Sequence, residues 1–123
     1  MQKEQNRQTV PGKIQIQMFG GFKMTVGNTV LSDTDNHSQQ MWNLLEYLIA
    51  YRKEPISSRS LMESLWPDDQ SNNPANALKN LIYRIRSMFT SSGISFGREL
   101  IRYSRSTYSW NNHYVCEIDT EQF

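Results

Sequence analysis

Apolar residues recur along this chain with two different periods, and the changes between them divide it into three stretches. Ile14-Gln15-Ile16-Gln17-Met18-Phe19 and Phe22-Lys23-Met24-Thr25-Val26 alternate apolar with polar, the pattern of strands with one wet face. Gly20-Gly21 and Gly27-Asn28 mark turns, and Thr29-Val30-Leu31 reads as a short third strand, which predicts a small antiparallel sheet. The period then becomes helical. From Gln39 to about Arg52, Met41, Leu44, Leu45, Leu48 and Ile49 recur at that spacing, joined by Trp42, and Pro55 closes the segment. A second, shorter helix spans Ser57 to Trp66. A serine caps its start, and Ser60 with Glu63 also has capping-box spacing, so the boundary is open by a residue or two. Pro67 stops it. After a polar loop, Asn73-Pro74 supplies an N-cap and first-turn proline for a third helix, which runs to about Thr90–Ser92 with Gly93 as C-terminal cap. The period-2 signal then returns. Ile94-Ser95-Phe96, Leu100–Tyr103 and Tyr108–Trp110 read as short strands of a hairpin, and Tyr114–Ile118 reads as extended.

The order β-β-β-α-α-α-β-β(-β) predicts an α+β fold: a winged helix-turn-helix with a small N-terminal antiparallel sheet, three helices and a C-terminal β-hairpin wing. Residues 1–13 read as a flexible tail, because Met1–Gly12 is Gln-rich, charged and nearly free of apolar side chains. Residues 14–118 are then the domain, and 119–123 the start of a linker to a following one.

The third helix carries two separate faces. With Asn76 at the origin of a helical wheel, Leu78, Leu81, Ile82, Ile85, Met88 and Phe89 fall within an arc of roughly 120–240°. Asn76, Lys79, Asn80, Tyr83 and Ser87 lie opposite, flanked by Arg84 and Arg86. The apolar stripe suits a core. Asn and Arg are suited to base edges and phosphates, so the polar stripe reads as the face of a recognition helix.

Composition sharpens this picture in one respect. The chain of 123 residues has a formal charge of only +1, but residues 76–105 hold six Lys or Arg against one Glu, a local net of +5. A basic end on a near-neutral protein fits a local electrostatic footprint for nucleic acid. Fourteen aromatic residues support a folded core. The single Cys116 excludes an internal disulfide framework and a Cys-rich zinc site. His37 and His113 stand alone, and Cys116 near His113 is rejected as a catalytic pair because their spacing within one extended segment gives no support for it. No phosphate-binding loop, Gly-x-Ser-x-Gly or His-Glu-x-x-His motif is present, so neither an enzyme nor a cofactor is expected. No apolar run approaches the roughly 18–20 residues of a membrane span, and no signal peptide opens the chain, so a cytoplasmic protein without membrane contact is the expectation.

Several segments in this order resemble a known family. Ile16–Phe22 (Ile-Gln-Met-Phe-Gly-Gly-Phe), Trp42–Tyr51, Ile56–Pro67 ending in Leu-Trp-Pro, Ala75–Arg86 and Tyr108-Ser109-Trp110 are together similar to the OmpR/PhoB-type winged-helix DNA-binding domain, in the branch found in SARP-like bacterial transcriptional activators. The resemblance covers roughly residues 14–123. Two positions depart from it. Thr107 stands where the wing usually has Gly before its Tyr, and Ser38-Gln39-Gln40-Met41 replaces the usual basic start of the first helix. The resemblance implies sequence-specific binding of double-stranded DNA as the effector domain of a transcriptional regulator, within a signal-transduction or phosphorelay system. It also implies RNA polymerase and a tandem homodimer on DNA as partners, and a helical-repeat domain following Asp119–Phe123.

On this basis Asn76, Lys79, Asn80 and Tyr83 are the candidates for base edges; the plainer alternative is a solvated helix face. Arg84 and Arg86 are candidates for backbone phosphates, or else pair with Glu63 or Asp68 inside the fold. Ser57, Ser58 and Arg59 could hold a phosphate at the start of the second helix, or simply cap it. Arg102 and Arg105 could enter the groove beside the wing, or lie on a solvated turn. Trp42, Trp66 and Phe89 are assigned to the core, with Trp110 packed on the third helix. The competing function, from another class, is a winged helix that mediates protein interaction or dimerisation without binding DNA.

Overall fold

Ile14 and Ile16 are buried while Gln15 and Gln17 are exposed, so the expected alternation holds in strand β1 (Ile14–Gln17) of the computed structural model, which describes residues 13–35, 38–67 and 72–119. β2 (Lys23–Val26) and β3 (Thr29–Ser32) complete the expected antiparallel meander, with Ile16 opposite Met24 and Met24 opposite Leu31. A fourth strand joins from the far end of the chain. β7 (Cys116–Ile118) pairs parallel to β1, giving the order β3-β2-β1-β7. The extended reading of Tyr114–Ile118 holds as strand for Cys116–Ile118, but its pairing was not legible, because about a hundred residues separate it from β1. Two groups outside the expected domain limits also belong to this sheet. Lys13 pairs with Glu117 at 2.9 Å and holds its carboxyl below the ordinary value. Asp119 accepts hydrogen bonds from the backbone N–H groups of Met18 (2.9 Å) and Phe19 (3.2 Å). The rest of the anticipated tail and linker lies outside the described residues.

The helical layer is α1 (Gln39–Ala50), α2 (Ser58–Leu65) and α3 (Pro74–Ser91). α1 buries Met41, Trp42, Leu44, Leu45, Leu48 and Ile49, and the Trp42 ring lies 5.5 Å from Phe22 of the N-terminal sheet. Ser57 is the N-cap of α2: its Oγ accepts from Ser60 N–H at 3.0 Å, which settles the boundary in favour of the earlier serine. Asn73 caps α3 through its side-chain oxygen, with Pro74 in the first turn. α3 ends as expected at Gly93, whose φ of 97° allows Gly93 N–H to reach Thr90 and Ile94 N–H to reach Phe89, the paired bonds of a Schellman motif.

β4 (Ile56–Ser57), β5 (Ile101–Ser104) and β6 (Thr107–Trp110) form a second sheet in the order β4-β6-β5, and β5 with β6 is the wing. β4 was missed by the sequence reading, since two residues carry no periodicity. Ile94–Phe96 is corrected from strand to turn. The chain folds back over the end of α3 there and passes through a 3-10 turn at Gly97–Glu99. A Cβ at Gly97 would lie 2.4 Å from Phe89 Cβ and 3.2 Å from Phe89 carbonyl carbon, so only glycine allows this approach. The core is continuous across both sheets and the helices, with Trp42, Phe22, Phe89 and Trp110 among its largest members. Phe89 and Trp110 meet edge to face at 6.4 Å, the expected packing of the wing on α3. No helix among the described residues is long and apolar enough to cross a membrane.

Gly97→Ala forces the wing away from the end of α3. We expect it to destabilise the protein by about 1–3 kcal/mol in chemical denaturation; an unchanged midpoint would mean the close approach is not required.

Candidate nucleic-acid interface

The two faces of α3 separate as the wheel predicts. Leu78, Leu81, Ile82, Ile85 and Phe89 are buried and Met88 is half-buried, whereas Asn76, Lys79, Asn80, Tyr83 and Arg84 are exposed. The side chains of Asn76, Lys79, Asn80 and Tyr83 make no hydrogen bond or ion pair with any described residue. Tyr83 is 68% exposed. A row of amides, an ammonium and a phenol held on a fixed helix, without partners among the described residues, is a surface able to bond to something else.

The two arginines of α3 have different surroundings. Arg84 is exposed and its guanidinium donates to Ser38 Oγ at 2.8 Å, so a side chain just ahead of α1 steadies it without neutralising it. Arg86 turns inward. Its Nη2 donates to the Ile101 carbonyl at 2.6 Å, and its Nε is buried with no partner among the described residues. Arg86 therefore ties α3 to β5, and its assignment beside Arg84 as a phosphate contact does not match this position. Neither arginine pairs with Glu63 among the described residues; Asp68 lies outside them.

The N-terminus of α2 is engaged by the wing. Ser106 carbonyl accepts from Ser58 N–H at 2.9 Å and from Ser58 Oγ at 3.1 Å. Ser57 Oγ, besides capping Ser60, lies 2.9 Å from Ser60 Oγ. Ser57 and Ser58 are thus occupied in holding the fold, which is the capping alternative raised above. Arg59 is exposed beside them.

The wing tip is a two-residue loop, Arg105-Ser106, with φ of 51° and 64°. Both residues left-handed is the geometry of a type I′ hairpin turn, a position that favours Asn-Gly. Here neither residue is glycine, and Thr107 Oγ1 closes the turn by donating to Ser104 carbonyl at 2.6 Å. Arg105 projects from this exposed tip. Arg102 lies on the hairpin face opposite Tyr103, because neighbouring residues of a strand point to opposite sides. The structure thus keeps Arg102 apart from the α3 stripe.

Between α3 and the wing runs a cleft that the sequence reading did not foresee. Lys79, Tyr83, Arg86 and Ser87 line it from α3, with Ile82 at its base. Arg98, Tyr103 and Tyr108 face them. The Tyr103 and Tyr108 rings lie 4.8 Å apart, and Tyr103 remains 55% exposed. Burial, and then the neighbouring Tyr103, push the Tyr108 hydroxyl above its ordinary pKa, while Arg86 opposes them. Arg98 and Tyr103 are the functional candidates missed earlier. Arg98 sat in an unassigned turn, and the direction of Tyr103 depended on a hairpin register not yet known. No group of three or more potential metal ligands occurs among the described residues.

A three-helix layer with an exposed polar face on its third helix and a hairpin pinned beside it defines a winged helix-turn-helix domain. The sequence profile of the family "Transcriptional regulatory protein, C terminal" matches residues 36–106, more than half of the chain, and the chain belongs to that family. This bears out the resemblance to OmpR/PhoB-type domains and places the chain among domains of transcriptional regulators. No curated protein matches its sequence significantly. Its fold is similar to that in a structure of Mycobacterium tuberculosis EmbR in complex with a low-affinity phosphopeptide, with a TM-score of 0.66 and 16% sequence identity. That match covers 84% of this chain and 26% of EmbR, so the chain spans about a quarter of that protein's length.

Ser106→Gly removes the cost of a left-handed non-glycine residue while leaving the carbonyl that α2 holds. We expect a gain of about 1 kcal/mol in thermal or chemical unfolding, reduced in part by the added freedom of the unfolded chain. A loss of stability would show that the Ser106 side chain contributes more than its strain costs.

Proposed function

We propose that this domain binds duplex DNA sequence-specifically and acts as the effector domain of a bacterial transcriptional regulator. The observation that carries the reading is the exposed row Asn76, Lys79, Asn80 and Tyr83, without side-chain partners among the described residues, on a helix whose other face is fixed in the core. α3 would lie in the major groove, where Asn can bond adenine through two atoms and Lys can reach guanine. Arg84, Arg59 and the wing-tip Arg105 would meet phosphates or the adjacent minor groove. The local excess of cations over carboxylates in residues 76–105 supplies the sequence-independent attraction. A cytoplasmic location, action through RNA polymerase and tandem binding by two copies belong to the same reading, as does a domain boundary near Asp119.

Titration of a duplex selected by the domain from a random library, at several salt concentrations, tests the proposal. Asn80→Ala should weaken binding by about 1–3 kcal/mol and relax the choice of base at one position. Arg84→Ala should weaken binding to all sequences alike and reduce the salt slope by about 0.9. Affinity indifferent to salt, or unaffected by both substitutions together, overturns it in favour of a protein-interaction module.

A further inference from the structure

We propose that the cleft between α3 and the wing seats one backbone phosphate of the bound duplex, held by Arg98 and the Tyr103 hydroxyl. The inference rests on the DNA-binding reading above and adds to it a site on residues outside the recognition stripe.

The cleft has the chemistry of an anion seat. Lys79, Arg86 and Arg98 bring three cations to its walls, Tyr83, Tyr103 and Ser87 bring hydroxyls, and no carboxylate of the described residues lines it. Arg86 cannot be the main ligand, because its Nη2 is committed to Ile101 carbonyl. Its Nε is buried with no partner, and its charge forms no ion pair, among the described residues. Arg98 is different. It is exposed, and it has no hydrogen bond or ion pair with a described residue, even though Glu99 is its neighbour in sequence. Glu99 accepts a hydrogen bond from Tyr114 Oη and raises that phenol's pKa, and it does not line the cleft between α3 and the wing. Arg98 and Glu99 form no ion pair with each other.

Tyr103 is placed by the wing. Its ring packs on the buried Tyr108, and it lines the cleft while remaining exposed. The occupant follows from the surroundings. A duplex with α3 in its major groove and the hairpin at the neighbouring minor groove must pass the strand dividing those grooves between them. That strand's phosphate is the anion that reaches Arg98 and Tyr103. A guanidinium on a phosphate forms charge-assisted bonds, and a phenol adds one donor.

The test uses the whole chain and a duplex that the wild-type protein selects, with single phosphates replaced in turn by neutral methylphosphonates. The wild-type protein should show a severalfold loss at one phosphate lying between the major-groove bases read by α3 and the minor groove next to the wing. Arg98→Ala should lose sensitivity at that position alone and reduce the salt slope by about 0.9. Arg98→Lys should retain the slope, and Tyr103→Phe should weaken binding without altering the unfolding midpoint. If the wild-type protein binds and Asn80→Ala weakens it, but Arg98→Ala keeps both the slope and the full methylphosphonate profile, the phosphate seat is wrong and the DNA-binding reading stands. A wild-type protein that selects no duplex overturns both.

Discussion

The wing is held beside α3 by the pairing of β6 with β4 and by two carbonyls that the helical layer grips. At its tip, Ser106 carbonyl takes two hydrogen bonds from Ser58, one from the backbone and one from the side chain. Near its base, Ile101 carbonyl takes a charge-assisted bond from Arg86 on α3. A two-stranded hairpin is marginal on its own. Pinned to α2 at one end and α3 at the other, with Trp110 against Phe89 between them, it is held beside the exposed polar face of α3. The left-handed Arg105 and Ser106 are where that rigidity costs most: the turn accepts unfavourable backbone angles and presents the Ser106 carbonyl to the start of α2.

The same economy governs the serines and arginines of the site. Ser57 and Ser58 hold secondary structure together, and Arg86 bridges α3 and β5. This leaves Arg84, Arg98, Arg59 and Arg105 at the surface as cations for an outside partner. The N-terminal sheet acts at a greater distance. It supplies Phe22 to the Trp42 contact and so backs α1, and β7, tied by Lys13–Glu117 and by Asp119, closes the chain onto β1. Its β3 edge meets the end of α3, where Thr29 Oγ1 donates to the Ser92 carbonyl at 3.3 Å.

Much of this was legible from periodicity. The apolar stripe of α3, the caps at Ser57 and Asn73, the Gly93 terminus and the Phe89–Trp110 packing all follow from local spacing and local chemistry, and each is found. What could not be read depended on residues distant in sequence. The parallel pairing of β7 with β1, the two-residue β4, and the use of Ser58 and Arg86 as fasteners are each decided by a partner far along the chain or on another element. Ile94–Phe96 misled because three residues with alternating polarity fit a strand as well as a turn. Its conformation is set by the approach of Gly97 to Phe89, a tertiary fact. Arg98 and Tyr103 escaped notice for the same reason: only the hairpin register and the 3-10 turn bring them to face α3.

The central claim is that α3 and the wing act as one rigid reader of adjacent grooves. Footprinting on a selected duplex tests it most directly, with guanine N7 methylation reporting the major groove and adenine N3 methylation the minor. The account requires major-groove protection over the bases facing Asn76, Lys79 and Asn80, with minor-groove protection displaced by about half a helical turn, roughly five base pairs. Protection confined to the minor groove, or no protection in either groove at saturating protein, would contradict it.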